Sequence, residues 1–294
     1  MEQHVIAYIH KVWGSRDRFP GPQPISIERK HFPTLQRNVY VVCEKTDGER
    51  YMLVATRWQG RNVSVFVNRS FHMFETRVNL PKNAYDGTIL DGELCDGGLF
   101  MVYDGIVVAG QPVGHANFLD RYGAIEQCIK RIIAMKSDPY RVRLKTFHPL
   151  NDFDTFQRDH LPQVQQRVDG LVFTPVYEPV KMGTHETMFK WKPRDHNTID
   201  FQMKRDPYRP GVWRMYVQEK GQLVFETELH NYEEPWFEEN AIVECQYMSE
   251  DTPAWWRPIK RRTDKTHPNN RRTFYRTLVN IKEDIQMSEF NNIL

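Results

Sequence analysis

Charged residues able to do chemistry recur along the chain in the order Lys45-x-Asp47-Gly48, Asp91-Gly92-Glu93, Tyr103-Asp104, Asp169-Gly170, Lys190-x-Lys192 and Arg262-x-Asp264-Lys265. Lys45 stands where an apolar run, Val39-Tyr40-Val41-Val42-Cys43, gives way to Thr46-Asp47-Gly48. The run reads as a buried strand and Asp-Gly as a turn. An ammonium is thereby set at a strand end, where sheets tend to carry site chemistry. In a pocket, a lysine can lose its proton and attack an electrophile. Taken alone, Lys-x-Asp-Gly describes a surface turn more often than a nucleophile.

The other groups read in the same two ways. Asp91-Gly92-Glu93 alone is a turn, or Glu93 accepts from sugar hydroxyls or holds a metal. Tyr103 is a core aromatic or a stacking face for a purine. Asp169 opens a buried strand, where an acid is costly unless paired or bound to a cation, so it is a candidate ligand for Mg²⁺ or Mn²⁺. Lys190 and Lys192 share one face of a strand and bracket Trp191. Beside Lys45 they would favour its neutral, nucleophilic form and bind phosphate. The run from Arg261 to Lys265 is a solvated charge cluster or a phosphate grip.

These residues need elements to hold them. Apolar spacing predicts a short helix over 4–13 and an amphipathic helix over 117–135. The prolines of 19–24 require extended chain, and Ser26 is read as the cap of a short helix over 26–32. From Val39 to Phe74 the pattern is β, with a hairpin at Gln59-Gly60. A second hairpin joins 89–94 to 99–104 through Asp96-Gly97-Gly98. Strands follow at 141–147, 169–174 and 188–193. Beyond a linker at 193–197, short strands to about Gln246 suggest a small barrel of the OB type. Trp255 to Arg262 is the most basic and aromatic stretch, and 273–286 reads as a closing helix.

Composition narrows the class. In 294 residues, 40 basic side chains nearly balance 38 acidic ones, for a net charge of +2, so any footprint for nucleic acid must be local. The four cysteines, Cys43, Cys95, Cys128 and Cys245, include no close pair for zinc. They fit a reducing compartment. No signal peptide or membrane-length apolar run is read.

The groups in their order resemble the covalent nucleotidyltransferase superfamily, that is, mRNA capping enzymes and ATP-dependent ligases. The capping version is favoured by three stretches: Arg262-Thr263-Asp264-Lys265-Thr266-His267-Pro268-Asn269, Gly21-Pro22-Gln23-Pro24-Ile25-Ser26-Ile27-Glu28-Arg29, and Thr198-Ile199-Asp200-Phe201. The likeness is in particular to the stand-alone RNA guanylyltransferases of large algal DNA viruses, from about Pro20 to the last helix.

The resemblance implies an α+β fold. A nucleotidyltransferase domain (1–195), ATP-grasp-like with antiparallel sheets and flanking helices, is followed by an OB-fold β-barrel (196–275). The helix over about 276–294 would pack back on the first domain. The resemblance further implies GMP transfer from GTP through a lysyl-GMP intermediate to the 5′-diphosphate end of RNA. Lys45 would be the nucleophile. Arg262, Asp264 and Lys265 would close over the β- and γ-phosphates, and Asp169 would be the metal-linked acid, with Mg²⁺ or Mn²⁺. Nucleotide binding would fall to Thr46, Asp47, Gly48, Arg50, Arg69, Glu93, Tyr103, Lys145, Lys190, Lys192 and Asp200, with Tyr103 stacking on the base and Lys145 reading guanine.

Separate triphosphatase and methyltransferase proteins would complete the cap. A monomer is expected, off the membrane and inside the cell, in the nucleus or cytoplasm of an infected host if viral. The competing readings are an ATP-dependent polynucleotide ligase and a non-catalytic RNA-binding module.

Overall fold

Strand-forming runs broken by Gly and Asn turns build most of this chain. A computed structural model describes residues 1–14, 19, 21–132, 138–263 and 265–294. The elements in order are α1 (Glu2–Trp13), β1 (Pro22–Ser26), α2 (Phe32–Arg37), β2 (Tyr40–Thr46), β3 (Glu49–Trp58), β4 (Arg61–Asn68), β5 (Met73–Thr76), β6 (Thr88–Cys95), β7 (Leu99–Val108), β8 (Gln111–Pro112), α3 (Phe118–Ile129), β9 (Arg141–Leu144), β10 (His148–Pro149), α4 (Phe153–Thr155), β11 (Val168–Pro175), β12 (Gly183–Trp191), β13 (Thr198–Arg205), β14 (Val212–Glu219), β15 (Gln222–His230), β16 (Ile242–Met248), β17 (Trp255–Arg261) and α5 (Arg271–Glu283). They form two compact units. One comprises 1–25, 31–191 and 290–294, and the other 26–30 and 192–289.

The first unit holds two sheets. The larger runs β5-β4-β3-β6-β7-β8, with β9 added in parallel to β7. Alternation along its strands gives it two faces. Leu53, Phe66 and Phe100 pack with Ile125 and Cys128 of α3, while Met52, Val54, Val65 and Ile89 pack with Val5 and Ile9 of α1. The β3–β4 hairpin turns at Gln59 (φ 51°) and Gly60 (φ 72°), as that dipeptide predicts. The smaller sheet runs β1-β12-β11-β2-β10. Phe173 packs there against Phe290, which also meets Phe153 and Trp191.

The second unit is a five-stranded antiparallel sheet in the order β15-β14-β13-β16-β17, a Greek-key order that agrees with an OB-fold. Its core contains Phe201, Trp213, Met215, Val243 and Trp256, with Phe274 and Ile281 of α5. The last residues, 290–294, belong to the first unit.

Several expectations shift. Ser26 caps no helix: it ends β1, and the chain turns helical only from Arg29 through a 3₁₀ turn into α2, where Pro33 suits the first turn. Asp91-Gly92-Glu93 lies inside β6, as the hairpin strand expected over 89–94 requires, and not in the turn that the triplet alone suggests. A Cβ at Gly92 would lie 2.5 Å from the Met101 carbonyl oxygen and 2.7 Å from Phe100 Cζ, so this glycine answers to close packing. The basic stretch at Trp255–Arg261 is an edge strand, β17, where outward charges discourage further pairing. Residues 133–135 of the expected long helix, and Pro20 of the extended segment, lie outside the described residues.

Candidate active site

Lys45 is the penultimate residue of β2 and pairs in register with Gly170 of β11. Thr46 pairs with Val168, so Asp169 is an extra residue on β11 at a shift of register. Such a bulge re-aims a side chain that alternation would send to the other face. Here it brings the Asp169 carboxylate to the Lys45 ammonium, with Nζ 3.1 and 3.3 Å from the two oxygens. The pair is accessible, with 28% and 19% of the side chains exposed. The charge set against Lys45 is therefore an acid. Lys190 pairs with Val172, which in turn pairs with Cys43, two residues before Lys45.

The larger sheet supplies the rest. Along β3 the side chains on the α1 face run Val54, Met52, Arg50, and along β6 they run Ile89, Asp91, Glu93. The same face is thus apolar under α1 and charged towards Gly48. Arg50 donates to both Asp91 oxygens, from Nε at 3.0 Å and Nη2 at 2.6 Å, and from Nη1 to the Pro22 carbonyl at 2.8 Å. Burial opposes its charge, but Asp91 more than compensates and leaves its pKa raised. Arg69 donates to Gln23 at 2.8 Å. Burial and then the nearby Arg50 charge hold its pKa below the usual value.

Glu93 feels Lys45, Lys145 and Arg50, all of which favour its ionised form, yet burial pushes it up to about 7. Tyr103 is also an extra residue at a shift of register: Asp91 pairs with Asp104 and Gly92 with Val102. Burial raises its pKa well above normal, and the Asp91 and Glu93 charges push the same way. Its ring lies 5.9 Å from the Lys145 ammonium and 5.9 Å from the Arg50 guanidinium. Lys145 is buried and donates to the Glu44 carbonyl at 2.6 Å. Two strand bulges thus aim an acid and an aromatic ring into a site walled by cations.

Asp47 sits at the surface, 3.6 Å from Arg167. Thr46 is buried. Gly48 is where two strands approach, since a Cβ there would lie 2.6 Å from the Leu94 carbonyl oxygen. Lys192, Asp200, Arg262 and Lys265 belong to the second unit. There Asp200 accepts from Arg262 Nη1 at 3.2 Å and from Lys265 Nζ at 2.6 Å. Asp264 lies outside the described residues.

Among the described residues no three His, Cys, Asp or Glu side chains cluster to hold an ion. A hard divalent cation, however, takes one or two carboxylates and completes its shell with phosphate and water. The Asp169 carboxylate fits a cation that arrives with a nucleotide.

Asp91 and Asp104 stand in the charged groups of the sequence without a role of their own; here Asp91 holds Arg50, and Asp104 forms a buried pair with Arg121, whose Nε lies 2.8 Å from Oδ1. An acid two residues from another on one strand was the available signal for Asp91. Nothing local marked Arg121, whose partner comes from another element.

Family models close the matter. That of the mRNA capping enzyme catalytic domain matches residues 1–194, and that of the mRNA capping enzyme C-terminal domain matches 196–290. The chain belongs to the mRNA capping enzyme family. The mRNA-capping enzyme of Danio rerio is 30% identical over 86% of this chain, and mRNA-capping enzyme subunit alpha of Schizosaccharomyces pombe is 28% identical over 94%. The chain spans 46% of the first relative and 79% of the second. Among solved structures, mycobacterial DNA ligase D complexed with ATP and MES is similar, with a TM-score of 0.47 and 14% identity, covering 83% of this chain and 96% of that one. No helix among the described residues is long and apolar enough to cross a membrane.

Proposed function

We propose that this capping-family chain is a GTP-dependent RNA guanylyltransferase working through Lys45. The observation that carries the reading is the Lys45 ammonium at a strand end, held by Asp169 on a bulge, within the stretch that matches the catalytic domain.

In the first step the Lys45 ammonium gives up a proton, and its nitrogen pair forms a bond to the α-phosphorus of GTP. The bond from that phosphorus to the bridging oxygen breaks, pyrophosphate leaves, and the nitrogen loses a second proton to become a phosphoramidate. In the second step a terminal oxygen of the 5′-diphosphate end of RNA bonds the same phosphorus. The nitrogen–phosphorus bond breaks and Lys45 takes up a proton. Two displacements thereby replace one difficult transfer. Asp169 holds the amine in place beforehand, and Mg²⁺ or Mn²⁺ on Asp169 and the phosphates would neutralise their charge.

Tyr103 offers its ring to the base, and Lys145 donates to the guanine edge. Arg50, Arg69, Glu93, Lys190 and Lys192 serve the ribose and phosphates, with Thr46, Asp47 and Gly48 forming the approach to Lys45. Arg262, Asp264 and Lys265 are assigned to the departing pyrophosphate, with Asp200 holding the basic pair. The domain limits proposed are 1–195 and 196–275. Triphosphatase and methyltransferase steps fall to other proteins, in keeping with the name of the fission-yeast relative as a subunit.

The test is incubation with α-labelled GTP or ATP and Mg²⁺ or Mn²⁺. Covalent label from GTP, absent in Lys45→Ala, is expected. Label from ATP but not GTP overturns the reading in favour of a ligase, and no label from either favours a binding module.

A further inference from the structure

A polar cavity of about 780 Å³ lies in the first unit, walled by Glu44, Arg141, Arg143, Thr146, His160 and Gln165 among others. It is not the nucleotide site described above, but it adjoins it. Met101 pairs with Glu93 on one side and with Arg143 on the other. Paired residues share a face, so Arg143 lies on the face that carries Glu93, one strand beyond Met101. Two residues earlier on β9, Arg141 shares that face. Glu44 precedes Lys45 on β2, so its side chain takes the opposite face, while its carbonyl accepts from Lys145.

Both arginines are exposed, and neither has a carboxylate partner among the described residues. The acids in the cavity are engaged elsewhere: Asp138 accepts from Asn79 at 3.1 Å, and Glu44 Oε2 lies 3.1 Å from His160 Nε2. His160 stands on a π-helical turn, Phe156–His160, a conformation rare in helices and frequent at functional sites. Two guanidinium groups one strand repeat apart, in a cavity that Thr146 and Gln165 also line, suit a run of phosphates on an extended strand.

We infer that this cavity receives the 5′ end of the acceptor RNA, with Arg141 and Arg143 gripping its phosphates so that the terminal one reaches the phosphorus carried on Lys45. The inference rests on the guanylyl-transfer reading above. It assigns the acceptor to the β7–β9 edge of the large sheet, and it makes Arg141 and Arg143 binding residues for the second step alone.

The experiment is the double variant Arg141→Gln, Arg143→Gln, with the Lys/Lys double variant beside it. Covalent GMP formation should stay at the wild-type level, while the KM for 5′-diphosphate RNA rises by about 10- to 100-fold. The Lys/Lys variant should recover part of that loss. Direct binding of the same RNA should show a salt slope smaller by about 1.4, two phosphate contacts on a single strand. An unchanged KM and salt slope would overturn the inference, as would loss of GMP labelling together with transfer, which would place the arginines in the nucleotide site. Unchanged transfer with lost binding of a phosphorylated peptide would give the cavity to a protein partner and overturn it too. Failure of the wild type to label with GTP would instead sink the underlying reading, and is told apart by that control.

Discussion

Two of the aspartate–cation pairs in the first unit look alike on paper and differ in place. Arg121 and Asp104 are 3% and 6% exposed, with Nε and Nη2 donating to the two carboxylate oxygens and Nη1 to the carbonyls of Ala116 and Glu178. Lys45 and Asp169 are 28% and 19% exposed and hold one another by a single ammonium. The closed pair turns the guanidinium's hydrogen bonds to Asp104 and to two backbone carbonyls and is shut away from solvent. The open pair retains donors and lone pairs for an incoming group. Burial and satisfaction mark a tie between elements, whereas a half-open pair at a strand end marks a place where one partner can be exchanged.

The comparison breaks most sharply at Lys45. In Lys45→Arg the charge and the contact with Asp169 persist but the nucleophile is gone. GMP labelling should fall by at least about 10⁴-fold, while the unfolding free energy from denaturant titration changes by no more than about 1 kcal/mol. Retained labelling would remove Lys45 from the chemistry.

Arg121→Ala should do the opposite. It leaves Asp104 buried and unpaired, a loss of about 3–5 kcal/mol in unfolding free energy. Denaturant titration checks this, and a loss under about 1 kcal/mol would end the contrast between the pairs. Next in size, Asp169→Asn should slow labelling by about 100-fold with little change in stability. Equal damage to stability from Asp169→Asn and Asp104→Asn would show that the open pair is structural after all.

The smallest effect concerns Glu93. Its folded pKa of about 7 lies above the ordinary 4.5, so the folded protein binds the extra proton between those values. Stability contributed by that proton is present below about pH 4.5 and is lost as pH rises through 7. The expected slope is downward, totalling about 1–2 kcal/mol once partial solvent screening is allowed for. Glu93→Gln should flatten it. An unfolding free energy that rises over this window in the wild type relative to Glu93→Gln contradicts the assignment.

Much of the fold was legible because its signals are local. The helix over 4–13 appears as α1, the Gln59-Gly60 and Gly97-Gly98 turns join the strands they were expected to join, and the amphipathic helix expected from 117 appears as α3. The misreadings are also local in origin. Ser26 looks like a cap until β1 pairs with β12 and takes Ser26 as its last extended residue. Asp91-Gly92, a turn when taken alone, lies inside the strand expected over 89–94, where Phe100 packs against the glycine. The segment over 150–163, with its 3₁₀, α and π turns, has no single period and was not read at all.

By itself the sequence determined the order of strands and helices, the position of Lys45 at a strand end, and the spacing of charged groups that identifies the family. Alternation, turn residues and motif spacing are properties of neighbouring residues, so a linear reading reaches them. Only the tertiary structure decided which charges meet. Lys45 and Asp169 are 124 residues apart, and Lys145 reaches Glu44 across 101. The extra residues Asp169 and Tyr103 exist only in the register between paired strands, and that register decides which face each side chain takes. Burial, likewise a property of the assembled sheets, is what lifts Glu93 towards neutrality and leaves Lys45 accessible while closing Arg121 away.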